Sequence, residues 1–117
     1  MRKFVSSSDV APIQRVAEHG GSGPIVFRRL IDSGEFETNV DFLDLTVIPP
    51  GSTIGRHEHH GNDELYFIVN GDPLVRVDGD EHRLHPTDVA IVRSGGWHEL
   101  INDSGHDVEI FVVQVSK

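Results

Sequence analysis

From residue 25 onward the chain is a succession of short runs, most of them rich in Val and Ile and most closed within two residues by glycine, proline, asparagine or aspartate. The runs fall at 25–31, 40–48, 54–59, 64–69, 74–77, 81–84, 89–93, 97–102 and 108–115. Val (15) and Ile (9) outnumber Leu (7), Ala (3) and Met (1), and β-branched side chains fit a pleated surface better than a helix. The separators carry turn chemistry. Pro49-Pro50-Gly51, Asn70-Gly71-Asp72-Pro73, Asp78-Gly79-Asp80, Ser94-Gly95-Gly96 and Asp103-Ser104-Gly105 supply fixed or positive φ between extended runs, with Asp78-Gly79 the strongest hairpin signal. Many short strands at this spacing predict an all-β sandwich or barrel. A chain of 117 residues is one domain long. Residues 1–24 read as an N-terminal arm and loop, with a short helix over 12–17 and a Gly-rich loop at 19–24. Residues 25–117 read as a single barrel domain.

Charge and cysteine content close off several function classes. The 19 Asp and Glu against 10 Lys and Arg give a formal net charge of −9, the wrong sign for a phosphate backbone or an anionic bilayer, so nucleic acid and membrane are not expected partners. No apolar stretch approaches the roughly 20 residues that span a bilayer, and the first residues lack the apolar block of a signal peptide, so a soluble cytoplasmic protein is expected. With no Cys there is no disulfide, thiolate ligand or thiol nucleophile, and any metal must be held by nitrogen and oxygen donors.

Against that background 8 His stand out. His57 and His59 sit two residues apart in an expected strand, where alternation puts them on one face about 6.5 Å apart. Past the polar break His60-Gly61-Asn62-Asp63, Glu64 opens the next run, and His98 follows Gly95-Gly96-Trp97. Three imidazoles and a carboxylate form a plausible divalent-metal site.

The pattern Gly51-x5-His57-x-His59-x4-Glu64-x6-Gly71 resembles the first motif of the cupin superfamily at every fixed position. The second motif resembles Thr87-x5-Arg93-x-Gly95-x2-His98-x3-Asn102, with Thr87 and Arg93 in place of the usual Gly and Pro. Those departures concern strand and turn geometry and leave the ligand assignment standing. The resemblance covers about residues 40 to 115 and is closest to small single-domain cupins. It implies a double-stranded β-helix, or jelly-roll barrel, with one divalent ion held inside by His57, His59, Glu64 and His98. The donor set suits Zn, Fe, Mn, Ni or Cu.

The other polar residues are assigned by parity. Tyr66 shares a face with Glu64, so it either packs in the core or offers its hydroxyl to a substrate, and with Glu64 it is the candidate for proton transfer. One of Arg28 and Arg29 should turn inward, and Arg28 is carried as the substrate-binding candidate beside Tyr66. His60 turns away from His57 and His59. His82, His85 and His106 read as surface residues, as does His19, although its Gly-rich loop could cover a barrel mouth. Trp97 either lines the entrance or caps the core.

Four protein ligands leave one or two positions open on the ion. The expected function is a metal-dependent cupin enzyme acting on a small oxygen-bearing metabolite, with the ion as Lewis acid in isomerisation, cyclisation, rearrangement or lyase chemistry. The alternatives are a metal-dependent dioxygenase and a non-catalytic cupin that binds or senses a small molecule. A homodimer is expected, because small cupins commonly pair and the arm carries Phe4, Val5, Val10, Ile13 and Val16 with little core of its own.

Overall fold

The structure is a computed structural model that describes residues 2–117. It is all-β, apart from single 3-10 turns at Ser7–Asp9, Glu18–Gly20 and Ser33–Glu35. The strands are β1 (Ile13–Val16), β2 (Pro24–Asp32), β3 (Val40–Ile48), β4 (Thr53–Glu58), β5 (Asn62–Asn70), β6 (Leu74–Val77), β7 (Asp80–Arg83), β8 (Val89–Val92), β9 (Trp97–Ile101) and β10 (Val108–Ser116). Two antiparallel sheets face each other as a jelly roll. The larger runs β1-β2-β3-β10-β5-β8 and the smaller β4-β9-β6-β7. Among the described residues no helix is long and apolar enough to cross a membrane.

Alternation in the strands fills the space between the sheets. Val108, Ile110 and Val112 of β10, Tyr66 and Ile68 of β5, Ile48 of β3 and Leu100 of β9 are all buried in one cluster with Ile25, Ile54 and Val75. The same inward parity carries polar groups toward the other end. Asp44 and Thr46 precede Ile48 on β3, Glu64 precedes Tyr66 and Ile68 on β5, and His98 precedes Leu100 on β9, each of the four polar residues being at most 6% exposed. One end of the barrel is therefore an apolar core and the other a buried polar chamber.

The N-terminal segment differs from expectation. Residues 13–16 form β1, paired with β2 in the register Ile13↔Phe27 to Val16↔Pro24, where the sequence suggested a short helix. A run this short cannot sustain a helix alone, whereas the free edge of β2 offers its backbone groups partners. The arm before β1 is tied to its own barrel. The Arg2 guanidinium meets Glu35 at 2.6 and 2.7 Å and donates to the Leu30 carbonyl at 3.0 Å, and Arg28 Nε donates to the Val10 carbonyl at 3.1 Å.

Candidate metal centre

His57 is the penultimate residue of β4, His59 lies just beyond that strand, Glu64 is in β5 and His98 in β9. Cross-strand pairing makes His57 and His98 direct neighbours. His59 falls outside the strand ladder, yet its backbone is held, since its N–H donates to Gly96 at 3.0 Å and its carbonyl accepts from Gly95 at 2.7 Å. One ligand atom from each of His57, His59, Glu64 and His98 lies within 4.8 Å of all the others.

The separations suit a shared ion. His98 Nε2 is 2.9 Å from His57 Nε2 and 3.0 Å from His59 Nε2, and Glu64 Oε1 is 3.2 Å from His98 and 3.5 Å from His59. Donors each about 2.1 Å from one ion, in the usual geometries, lie about 3.0 to 3.4 Å apart. The ring tautomers are set from behind. His57 Nδ1 is 2.8 Å from the Gly55 carbonyl and His59 Nδ1 is 2.6 Å from Asn62 Oδ1. Both acceptors take a ring N–H, which leaves each Nε2 lone pair aimed at the centre. The residues present fit a divalent ion.

Burial favours the neutral rings that ligation requires. Desolvation, reinforced by the neighbouring His98 and His19, outweighs the Gly55 carbonyl and Glu64 and lowers the His57 pKa to about 4. Desolvation likewise lowers His98, against its contacts with Glu64. Proton competition for the site is thereby displaced below the free-imidazole range near 6.5. The same shift makes the metal-free fold acid-sensitive. The unfolded chain binds a proton at His57 before the folded chain does, so stability is full above about pH 6.5 and falls as the pH drops to about 4. His57 alone accounts for a loss on the order of 2 kcal/mol after solvent screening. Urea unfolding of metal-free protein at pH 7 and pH 4 measures this, and His57→Gln should show a correspondingly shallower fall. An equal fall in both proteins would refute the assignment.

A cavity of about 190 Å³ opens beside His57 and Glu64, and Tyr66 lines it. The Tyr66 ring stacks on His98, centroids 4.4 Å apart, with its hydroxyl 3.2 Å from His98 Nε2. Desolvation, with Glu64 and Glu18 nearby, raises its pKa well above the usual value, so it is a neutral phenol able to donate. Arg28, the expected substrate-facing arginine, is not at this cavity; Arg29 is. Ile25 and Phe27 point inward, so alternation brings Arg29 to the inner face before a bulge at Leu30 shifts the register. Arg29 is clamped by Asp44, Nε to Oδ1 at 2.9 Å and Nη2 to Oδ2 at 3.0 Å, with its guanidinium carbon 4.4 Å from the Phe42 ring centre. The Asp44 hydrogen bonds raise its pKa further.

Sequence reasoning gave little weight to residues 17–23, which pass over this chamber. The His19 ring stacks on His57 with centroids 3.7 Å apart and planes 12° apart, and Glu18 joins the cavity wall. Two non-glycine residues flanking Glu18 are left-handed, Ala17 at φ 56° and His19 at φ 51°. The strap docks on β4 backbone to backbone. Thr53 N–H donates to the Ser22 carbonyl at 2.8 Å, Ser22 N–H donates to Thr53 Oγ1 at 2.8 Å, and a Cβ on Gly55 would strike the His19 carbonyl. The run His19-Gly20-Gly21-Ser22-Gly23 was the available signal. The remaining histidines stay outside. His60 pairs with Glu58 at 3.1 Å on the surface, and His82, His85 and His106 are exposed. Trp97 does not line the cavity, and Arg56 lies 3.9 Å over its ring.

Comparison with known proteins finds a family model described as Cupin domain matching residues 44–114. The oxalate-binding protein of Thermotoga maritima is 28% identical over 109 residues, covering 93% of this chain and 90% of that protein. The tetracenomycin polyketide synthase protein TcmJ of Streptomyces glaucescens is 30% identical over 98 residues, covering 84% of this chain and 61% of that protein. Among solved structures, a predicted oxalate decarboxylase from Thermotoga maritima superimposes with a TM-score of 0.94 at 26% identity, covering 97% of this chain and 99% of that one.

Proposed function

Because the chain belongs to the cupin family, matched over residues 44–114, we propose that it is a metal-dependent protein that binds a small oxygen-bearing acid in the polar chamber and acts on it without redox change. The observation that carries this reading is the convergence of His57, His59, Glu64 and His98 beside a cavity that also presents Arg29. At about 190 Å³ the cavity falls below the roughly 300 to 1,000 Å³ of drug-sized pockets, which suits a small metabolite. The similarity to an oxalate-binding protein points the same way.

A divalent ion held by the four residues supplies Lewis acidity toward a ligand oxygen; zinc, iron, manganese, nickel and copper all suit the donors. The chain supplies the rest. Arg29, oriented by Asp44, takes the anion-binding role expected of Arg28. Tyr66, kept neutral by burial, donates a hydrogen bond from its phenol toward a bound ligand, and Glu64 and Glu18 are the carboxylates placed to accept a proton. This arrangement supports isomerase, cyclase, rearrangement or lyase chemistry.

Calorimetric titration of metal-loaded protein with oxalate and with small 2-oxo and 2-hydroxy acids tests the reading. Saturable binding is expected, abolished by chelation of the ion and weakened at least about tenfold, or about 1.4 kcal/mol, by Arg29→Met. Absence of binding to any of these acids, or binding indifferent to both changes, would sink it. The second reading, a sensing cupin, is supported by the similarity to the oxalate-binding protein of Thermotoga maritima, whose name gives it a binding role. Saturable binding with the acid recovered unchanged selects it over the enzyme, and oxygen uptake by iron-loaded protein would select a dioxygenase.

A further inference from the structure

The wall of the chamber is polar toward one side only. Across the inner face of the large sheet one row runs Arg29, Asp44, Val112 and Tyr66, and the next runs Phe27, Thr46, Ile110 and Ile68. On β4, in the opposite sheet, Ile54 precedes His57 by three residues. The cavity beside His57 and Glu64 therefore continues onto Ile25, Phe27, Ile54 and Val112, all of them buried. Its two guanidiniums sit against one ring, with the Arg15 carbon 5.2 Å and the Arg29 carbon 5.8 Å from the Phe27 centre. An anionic head held at Arg29 thus has apolar surface beside the rest of the molecule.

Charge narrows the head. The wall carries Arg15 and Arg29 against Glu18, Asp44 and Glu64, one net negative charge with the histidines counted neutral, which a divalent ion would turn into one net positive charge. A single carboxylate balances that charge, whereas a dicarboxylate leaves one uncompensated among buried side chains, which is costly. The neutral hydroxyls lining the cavity, among the described residues, are those of Thr46 and Tyr66, too few to partner the many hydroxyls of a sugar.

We propose that the ligand is a 2-hydroxy or 2-oxo monocarboxylic acid with an apolar body of about three to six carbons, its head at the ion and Arg29 and its body against Phe27 and Ile54. The two adjacent head oxygens suit the positions left open by four protein ligands. The cavity of about 190 Å³ exceeds the roughly 150 Å³ of an apolar cavity that takes benzene, so a ring-sized or branched body fits together with a carboxylate. This inference rests on the reading of the chamber as an acid-binding metal site and narrows it against oxalate, a dianion with no apolar body to bury.

Calorimetric titration of the full chain loaded with redox-inert zinc compares acids that share one head. From glycolate through lactate and 2-hydroxybutyrate to 2-hydroxy-3-methylbutyrate, affinity should rise about three- to fourfold for each carbon added, the factor that burial of one CH₂ supplies. Malate keeps the same head but carries a second carboxylate in place of the isopropyl group, and should bind at least about tenfold more weakly than 2-hydroxy-3-methylbutyrate. Ile54→Ala opens the apolar end and should move the preference to the longer 2-hydroxy-4-methylpentanoate; the wild-type series decides the matter should that variant misfold. Glycolate or malate binding as tightly as 2-hydroxy-3-methylbutyrate, or an unchanged preference in folded Ile54→Ala, overturns this inference, and ion-dependent binding of oxalate alongside that result leaves the acid-site reading standing. Absence of binding by every acid, oxalate included, overturns both.

Discussion

Replacement of His59 by alanine is expected to lower divalent-metal affinity more than about 100-fold while leaving a folded barrel. Removing even a group that only orients a ligand typically costs 10- to 100-fold, and His59 offers the donor atom itself. Its Nε2 stands 3.0 Å from His98 and 3.5 Å from Glu64, and the ring is 6% exposed with Asn62 fixing its tautomer. The apolar cluster of Ile48, Ile68, Leu100, Val108 and Ile110 lies at the other end of the barrel, so the variant keeps its core. Metal content after gel filtration and a competitive metal titration give the measurement. Asn62→Ala serves as the graded control, with a loss of about 10- to 100-fold through ring orientation alone. Full metal content in His59→Ala would remove it from the ligand set.

The second large effect concerns stability. Asn102, 1% exposed, holds together the corner after β9. Its amide donates to the Ile48 carbonyl at 2.8 Å and to the His106 carbonyl at 2.7 Å, and its Oδ1 accepts from Ser104 N–H at 3.1 Å and Oγ at 2.7 Å. Asn102→Leu is close in size but withdraws all four partners at once and strands the Ile48 carbonyl. A net hydrogen bond is worth about 1 kcal/mol and an orphaned buried group costs about 1 to 3 kcal/mol. A loss of about 3 to 4 kcal/mol is therefore expected in urea unfolding, against about 1 kcal/mol for Ser104→Ala. A change under 1 kcal/mol in Asn102→Leu would show that the corner is held elsewhere. The asparagine that closes the second motif thus acts on the fold, four residues after His98, which faces the candidate metal site.

Much of this was legible in the chain. The runs at 40–48 and 74–77 match β3 and β6 to the residue, because Asn39 and Pro49 bound the first and Pro73 and Asp78 the second. The convergence of His57, His59, Glu64 and His98 was legible because strand parity and turn spacing are local properties. Arg28 and Arg29 could not be told apart for a physical reason. Ile25-Val26-Phe27 is apolar on both parities, since the sheet it joins is apolar on both faces, and hydrophobicity then carries no information about which side is in. Residues 13–16 misled because their structure is set by the free edge of β2, a partner eight or more residues away in sequence. Glu18 and His19 were hidden similarly, since their approach to His57 depends on where β4 runs.

The close passage of the strap over β4 also decides which positions of this chain are adjustable. Gly21 has φ −73°, an ordinary value for any residue, so glycine is required there by space: a Cβ would sit 2.5 Å from the Thr53 carbonyl. At Gly55 the added carbon would meet Gly21 N at 2.5 Å. Glu18 hangs from the same segment with a side chain that no such contact constrains, whereas His19 is left-handed and its ring stacks on His57. For anyone diversifying the chamber to accept a different acid, position 18 is the one to randomise, and the two glycines are the ones to leave untouched.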